Sequence, residues 1–257
     1  MKSKLSRLYL YLIFIFLYAP IIIMIIYSFN ESKYRVWTGF SFKWYIELFQ
    51  DRQIIEALSN TLIVAVVASV LSTIIGTAAA IGIDGLKRWK KTAVMNVTML
   101  PVLNPDIVTG ISLMLLFYIA KLPTGIFTLI LAHLAFCIPY VILSVMPKLK
   151  QVNNTTYEAA LDLGATPLLA TMKITLPEIM PGIITGFLMA FTLSIDDFIV
   201  SYFTTGPGVE NLSILIYNAA RKGVSPSINA LSALMFSVIL ILLVVINIRT
   251  SKNAEKA

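Results

Sequence analysis

The sequence predicts an all-α integral membrane protein with six transmembrane helices. Three observations carry this. Hydrophobic residues make up 58% of the chain, and its mean hydropathy is +0.86. Charged residues make up 13%, against about a quarter in soluble domains. The apolar residues fall in long runs rather than in alternation, which is the pattern of membrane helices.

Six runs reach the roughly 20 apolar residues that a helix needs to cross a hydrocarbon core. They are 8–29, 61–83, 93–120, 125–146, 180–204 and 228–248, within a single domain covering 1–257. The first follows Lys2, Lys4 and Arg7 in the manner of a signal peptide. Its apolar run is too long for one and no small-residue cleavage site follows, so an uncleaved span is expected. The second carries Ala68, Ser72, Gly76 and Ala80 at every fourth position, and the fifth carries Gly182, Gly186, Ala190 and Ser194 in the same way. Small residues at that spacing let membrane helices approach closely, so both stripes predict tight packing. The third contains Pro101, Pro105 and Asp106. The fourth holds the chain's one histidine and one cysteine, His133 and Cys137. One thiol builds neither a disulfide framework nor a cysteine metal site, so both are read as packing residues, with no metal and no cofactor expected.

The net charge of +7 raises nucleic acid as a partner, but the basic residues flank apolar runs, where they orient a chain in the bilayer. With the N-terminus in the cytoplasm, the inner segments hold Lys2, Lys4, Arg7, Lys87, Arg88, Lys90, Lys91, Lys148, Lys150, Lys173, Arg249, Lys252 and Lys256. The outer ones keep Lys33, Arg35, Lys43, Arg52, Lys121, Arg221 and Lys222. The bias predicts a multi-pass protein of the cytoplasmic membrane with both termini inside and no nucleic-acid role.

The segment between spans four and five, 148–179, is too polar to cross and too long for a turn. Thr155 or Thr156 suits the start of a short helix over 157–163, and Gly164 suits a left-handed stop. Thr166 and Pro167 suit the start of a second helix, with Pro177 and Pro181 expected to end the segment before span five. Within it, Glu158, Ala159, Ala160, Gly164, Ile174, Leu176 and Pro177 match in type and spacing the EAA motif of binding-protein-dependent ABC importer permeases. The resemblance implies the type I ABC importer permease fold, with this loop forming coupling helices that dock on an ATPase subunit. The bland reading is an amphipathic interfacial segment anchored by Lys148, Lys150 and Lys173. No G-x-x-x-x-G-K-[ST] phosphate loop occurs, so ATP and its Mg are expected on a partner ATPase, with no cofactor and no enzymatic activity in this chain.

Acidic residues inside spans are costly and tend to mark pathways. Asp106 lies in span three, and Asp196 and Asp197 lie in span five just after Ser194. Counted along straight helices, the three sit at similar depths. Asp197 lies near the small-residue stripe, facing another helix or a central path, while Asp196 points elsewhere. Capping of a broken helix end, or pairing with a basic residue of a partner subunit, are the bland readings. No lysine or arginine lies in any span, so a cationic substrate would complement these acids.

Several stretches resemble the spermidine/putrescine ABC transporter permease family. They are residues 18–30 (YAPIIIMIIYSFN), Lys43-Trp44-Tyr45, residues 104–117, residues 191–208 and residues 223–231. Within it the chain looks like the second permease subunit, with Asn104-Pro105-Asp106 in place of the usual Ser-Pro-Asp. The resemblance implies a polyamine path through Asp106, Ser194, Asp196 and Asp197. It also implies a heterodimer with a second homologous permease, two ATPase subunits and an extracytoplasmic polyamine-binding protein. Trp44 has two readings: an aromatic anchor at the membrane surface beside Trp37, Phe40, Phe42 and Tyr45, or a cation–π face for an alkylammonium group. An ABC importer of another solute and an ion-coupled secondary transporter remain as alternatives. The EAA-type loop has no role in the second, and an anionic solute would call for Arg or helix N-termini at the site. An intramembrane enzyme lacks a nucleophile–base pair.

Overall fold

The computed structural model describes residues 4–33, 36–152, 154–223 and 226–254, and every regular element among them is helical. In order these are α1 (Lys4–Ser28), α2 (Lys43–Leu48), α3 (Arg52–Asp84), α4 (Arg88–Leu103), α5 (Asp106–Ile119), α6 (Ile126–Leu149), α7 (Asn154–Asp162), α8 (Pro167–Ala170), a π-helical turn (Thr171–Thr175), α9 (Leu176–Asp196), α10 (Ile199–Thr204), α11 (Leu212–Lys222) and α12 (Pro226–Ala254). Lys2, Arg35 and Lys256 of the orientation argument lie outside the described residues. The chain forms two units. One joins the residues up to Ala57 with Leu212–Ile241, and the other is Leu58–Asn211 with the residues from Leu242 onward.

In the first unit, α1 is apolar around its whole circumference and exposed. Its C-terminal end turns into a loop built on Asn30, whose side chain accepts from Thr38 N at 3.0 Å and donates to Val36 O at 2.9 Å. Beside it Phe29 stacks on Phe40, Phe42 meets both edge-on, and Tyr45 lies tilted against Phe29.

In the second unit, α6 is the shared wall. Its residues Cys137, Val141, Ile142, Val145 and Leu149 are buried, together with Ala80 and Ile83 of α3 and Ile179 and Ala190 of α9. Both small-residue stripes face it. A Cβ on Gly76 would lie 2.8 Å from Val141 Cβ, and one on Gly186 would lie 3.2 Å from Val141 Cα. A Cβ on Gly182 would meet Ser144 O at 3.0 Å. Val141 is therefore gripped from two sides by backbones that only glycine allows so near.

Three expectations are corrected. The run 93–120 is not one straight helix but two, α4 and α5, bent by 103°. Pro105 has no N–H to continue the ladder, and it forces Asn104 before it into an extended conformation, ψ 141°. The run 180–204 is likewise broken after Asp196, where Asp197 is extended at ψ 123°. Conversely, Pro177 and Pro181 do not end the coupling segment, because α8, the π turn and α9 form one continuous helix from Pro167 to Asp196. Leu176 N donates to Thr171 O, closing the wide turn just before Pro177. That extra residue spares the Pro177 ring the clash it would make in a regular turn. Among the described residues, four helices are long and apolar enough to cross a membrane, or five with the bent α4–α5 pair, and Pro226–Ile241 is a shorter apolar stretch. The six expected spans thus do not appear as six unbroken apolar helices.

The close approach at Gly76 gives a paired test. Gly76→Ala puts a methyl group where the Val141 side chain already sits, and should cost about 1–3 kcal/mol. Gly82→Ala, further along the same helix, meets nothing within 4 Å and should leave stability unchanged or slightly raised. Thermal unfolding of the two variants in detergent reads the difference, and equal melting points would show that the stripe does not set the α3–α6 distance.

Candidate functional site

Both backbone breaks start a new helix with an aspartate. Asp106 is the first residue of α5, where the positive end of the helix dipole favours a carboxylate. Asp197 caps α10. Its carboxylate accepts from Ser201 N at 2.7 Å, from Val200 N at 3.3 Å and from Ser201 Oγ at 2.7 Å. These bonds satisfy amides that the break would otherwise leave orphaned in an apolar setting.

The two half-helices then pack on each other. Gly110 of α5 lies so close to α10 that a Cβ there would be 3.0 Å from Phe203 Cδ2 and 3.4 Å from Ile199 O. This brings Asp106, Asp196 and Asp197 to one cavity of about 480 Å³, walled also by Pro101, Phe136, Tyr140 and Phe198. The expected proximity of the three acids is thus reached through bent chains rather than through matched depths along straight helices. Among the described residues, no lysine or arginine lines the cavity. Asp106 and Asp196 are open to it, whereas the Asp197 side chain is only 11% exposed. The capping reading of the acid pair therefore describes Asp197, and the two open carboxylates are Asp106 and Asp196.

His133 of α6 is more than the packing residue expected. It is fully buried, with Nδ1 2.6 Å from Ser194 Oγ and Nε2 3.0 Å from Ser201 Oγ. The nearer Asp197 oxygen is 3.6 Å from Nε2. Ser194 is buried against this ring rather than open to the cavity. The signal that could have singled out His133, which was read only as packing, is its type: an ionisable side chain within a span is a functional candidate by default. Cys137, one turn away, does pack, its Sγ 3.5 Å from Ala190 O.

Trp44 lies in the other unit, 6% exposed, its Nε1 donating to Asn30 O at 2.6 Å. A buried indole holding the Asn30 loop fits neither the surface anchor nor an open cation–π face, although Lys43 Nζ lies 5.3 Å from its centroid.

In the coupling segment the Gly164 stop and the Thr166–Pro167 start have their predicted form, whereas the first helix begins at Asn154, so Thr155 and Thr156 lie inside it instead of capping it. Glu158, Ala159 and Ala160 lie on α7, with Glu158 and Ala159 exposed. Gly164 has φ 89°, and Ala165 N donates to Ala160 O at 3.0 Å, the long bond of a Schellman stop. Thr166 caps α8, accepting from Leu169 N at 3.3 Å, with Pro167 first in the helix. Ile174 lies in the π turn, and Leu176 and Pro177 open α9. Leu163 and Leu168 are 89% and 72% exposed beside this turn, an apolar display that in soluble surroundings marks an interaction surface.

Residues 72–250 match the sequence model of the family described as "Binding-protein-dependent transport system inner membrane component". The chain belongs to this family. The permease is 41% identical over 234 residues to the Putrescine transport system permease protein PotI of Escherichia coli (strain K12), covering 88% of this chain and 83% of that one. It is 36% identical over 250 residues to the Spermidine/putrescine transport system permease protein PotC of Haemophilus influenzae, covering 97% of each. Among solved structures it resembles a bacterial ABC transporter involved in the import of the acidic polysaccharide alginate, with TM-score 0.70, 19% identity and 96% and 94% of the two chains covered. It also resembles an amino acid ABC transporter, with TM-score 0.59, 16% identity and 84% and 100% covered. The fold is that of ABC importer permeases. One of these structures handles an acidic polymer, so the fold alone does not choose the solute.

The capping geometry separates the acids by their effect on stability. Asp197→Asn puts an amide where three donors converge and should cost about 1–2 kcal/mol. Asp196→Asn, at an open carboxylate, should stay within about 0.5 kcal/mol. Thermal unfolding of the purified permease in detergent reads this order, and a larger loss for Asp196→Asn would overturn it.

Proposed function

We propose that the chain is a permease subunit of an ATP-driven importer that carries polyamines across the cytoplasmic membrane, with both termini inside. The observation that supports the substrate class is the cavity itself. Three carboxylates meet there with the aromatic rings of Phe136, Tyr140 and Phe198, and among the described residues no lysine or arginine lines it. An alkylammonium group entering the cavity loses hydration. Charge-assisted bonds from Asp106 and Asp196 offset that loss, and the ring faces add cation–π attraction. The names of the PotI and PotC relatives point to the same solutes.

In this reading the permease pairs with a second, homologous permease. Of two ATPase subunits, one docks on the hairpin around Gly164, and an extracytoplasmic polyamine-binding protein delivers substrate from outside. ATP binding closes the ATPase dimer and pushes the coupling helices, which opens the path outward. Hydrolysis resets the complex by rigid-body movement of helices around the cavity. ATP and Mg belong to the ATPase subunits.

The test is ATP-dependent uptake of labelled spermidine and putrescine by the complete complex in proteoliposomes. The wild type should accumulate both or one of them. Asp106→Asn and Asp196→Asn should each lower the maximal rate by about tenfold, the loss expected from one charge-assisted contact, with assembly retained. Uptake at the wild-type rate in both variants would remove the carboxylates from the path. Copurification of an ATPase subunit separates this reading from an ion-coupled transporter.

A second variant tests the hairpin. Gly164→Val places a β-branched residue at φ 89°, a conformation that costs at least about 1 kcal/mol. The stop between α7 and α8 should distort. Uptake should fall sharply while the chain still inserts in the membrane, and unchanged uptake with normal ATPase copurification would show that the hairpin geometry carries no work.

A further inference from the structure

One imidazole touches both sides of the break in span five. Ser194 lies in α9, two residues before its end, and Ser201 lies in the first turn and a half of α10. His133, from α6, reaches Ser194 Oγ with Nδ1 at 2.6 Å and Ser201 Oγ with Nε2 at 3.0 Å. Ser194, His133 and Ser201 are all buried, so each hydrogen bond here stands in for one to water that burial has removed.

The direction of these bonds follows from counting protons. Ser201 Oγ has one, and it goes to Asp197 Oδ2 at 2.7 Å. Toward the ring, Ser201 Oγ therefore accepts, which requires the imidazole proton on Nε2. Nδ1 then carries a lone pair and accepts the proton of Ser194 Oγ. The chain runs one way: Ser194 to His133, His133 to Ser201, Ser201 to Asp197.

We propose that His133, in a fixed Nε2–H tautomer, is a positioning residue for the cavity. It clasps the ends of α9 and α10 together and, through Ser201, holds the Asp197 carboxylate on its cap, leaving Asp196 and Asp106 as the groups presented to substrate. The consequence for transport rests on the polyamine reading. The tautomer and the clasp do not.

The chain's single histidine permits a direct test. The full chain, labelled with ¹⁵N at histidine and reconstituted in lipid bilayers, should give one unprotonated Nδ1 and one protonated Nε2 signal. Ser201→Ala should shift Nε2, and Ser194→Ala should shift Nδ1. A proton on Nδ1, or an Nε2 signal unmoved by Ser201→Ala, overturns the proposal.

A transport arm separates positioning from mere packing. In His133→Gln the amide nitrogen falls near the Nε2 position and keeps a donor for Ser201. In His133→Asn the amide oxygen falls near Nδ1 and keeps only an acceptor for Ser194. Each variant loses one bond, so a purely structural role lowers both alike. Positioning through Ser201 predicts that the Gln variant imports polyamine about threefold or more faster than the Asn variant. It also predicts that adding His133→Asn to Asp197→Asn brings no further loss. Equal rates for the Gln and Asn variants, or additive losses in the double variant, refute it. If the wild-type complex moves no polyamine, it is the polyamine reading that falls, and the histidine signals alone decide the clasp.

Discussion

The requirement that every peptide group find a partner governs this chain. A polypeptide in hydrocarbon can interrupt a helix only where other groups take over the freed N–H and C=O. Two interruptions occur inside the apolar runs, at Asn104–Pro105 and at Asp197–Phe198. The site follows from how they are satisfied. At the second break a carboxylate takes the orphaned amides of α10, and a serine hydroxyl and an imidazole complete the shell. At the first, an aspartate stands at the head of α5. The acids gather because broken helices need anions at their starts, and two broken helices are packed side by side.

Packing by absence of side chains makes that arrangement possible. Gly76 and Gly186 press backbones onto Val141 from two directions, and Gly110 brings α5 against α10. In lipid there is no hydrophobic gain from joining two helices, so close backbone contact supplies the attraction. The same closeness leaves His133 no exit: its ring, on the wall all these helices share, meets hydroxyls from both halves of span five.

Features encoded over a few residues were legible in the sequence, and those made by distant partners were not. The turn of the coupling hairpin, from the Gly164 stop to the Thr166–Pro167 start, could be read residue by residue. A threonine before a proline and a glycine after a short helix each have one favoured local conformation, and Gly164, Thr166 and Pro167 adopt them. The dipeptide Asn104-Pro105 also carried a break signal, but the surrounding run was long enough to pass for one straight span. Pro177 and Pro181 sent the opposite message and were overridden, since one added residue in the preceding turn lets the helix pass. His133 shows the limit. Its partners lie 61 and 68 positions away, and no spacing rule connects them. Trp44 was misplaced for the same reason, its partner being a main-chain carbonyl 14 residues back.

The unbroken run from Pro167 to Asp196 has a mechanical meaning. Thirty residues of helix make a strut of about 45 Å at ~1.5 Å per residue. One end stands beside the exposed Leu163 and Leu168, and the other ends at the cavity carboxylates. No hinge loop separates them, so displacement at one end arrives at the other as tilt or translation instead of being absorbed by slack. Along the strut the π turn at Thr171–Thr175 stores one surplus residue. Converting that turn to regular helix would advance everything beyond it by one residue, about 100° of rotation. That twist is opposed by the packing of Gly182 and Gly186 against Ser144 and Val141 of α6 and by the bond of Ser194 to His133, which leaves the strut to rock as a whole.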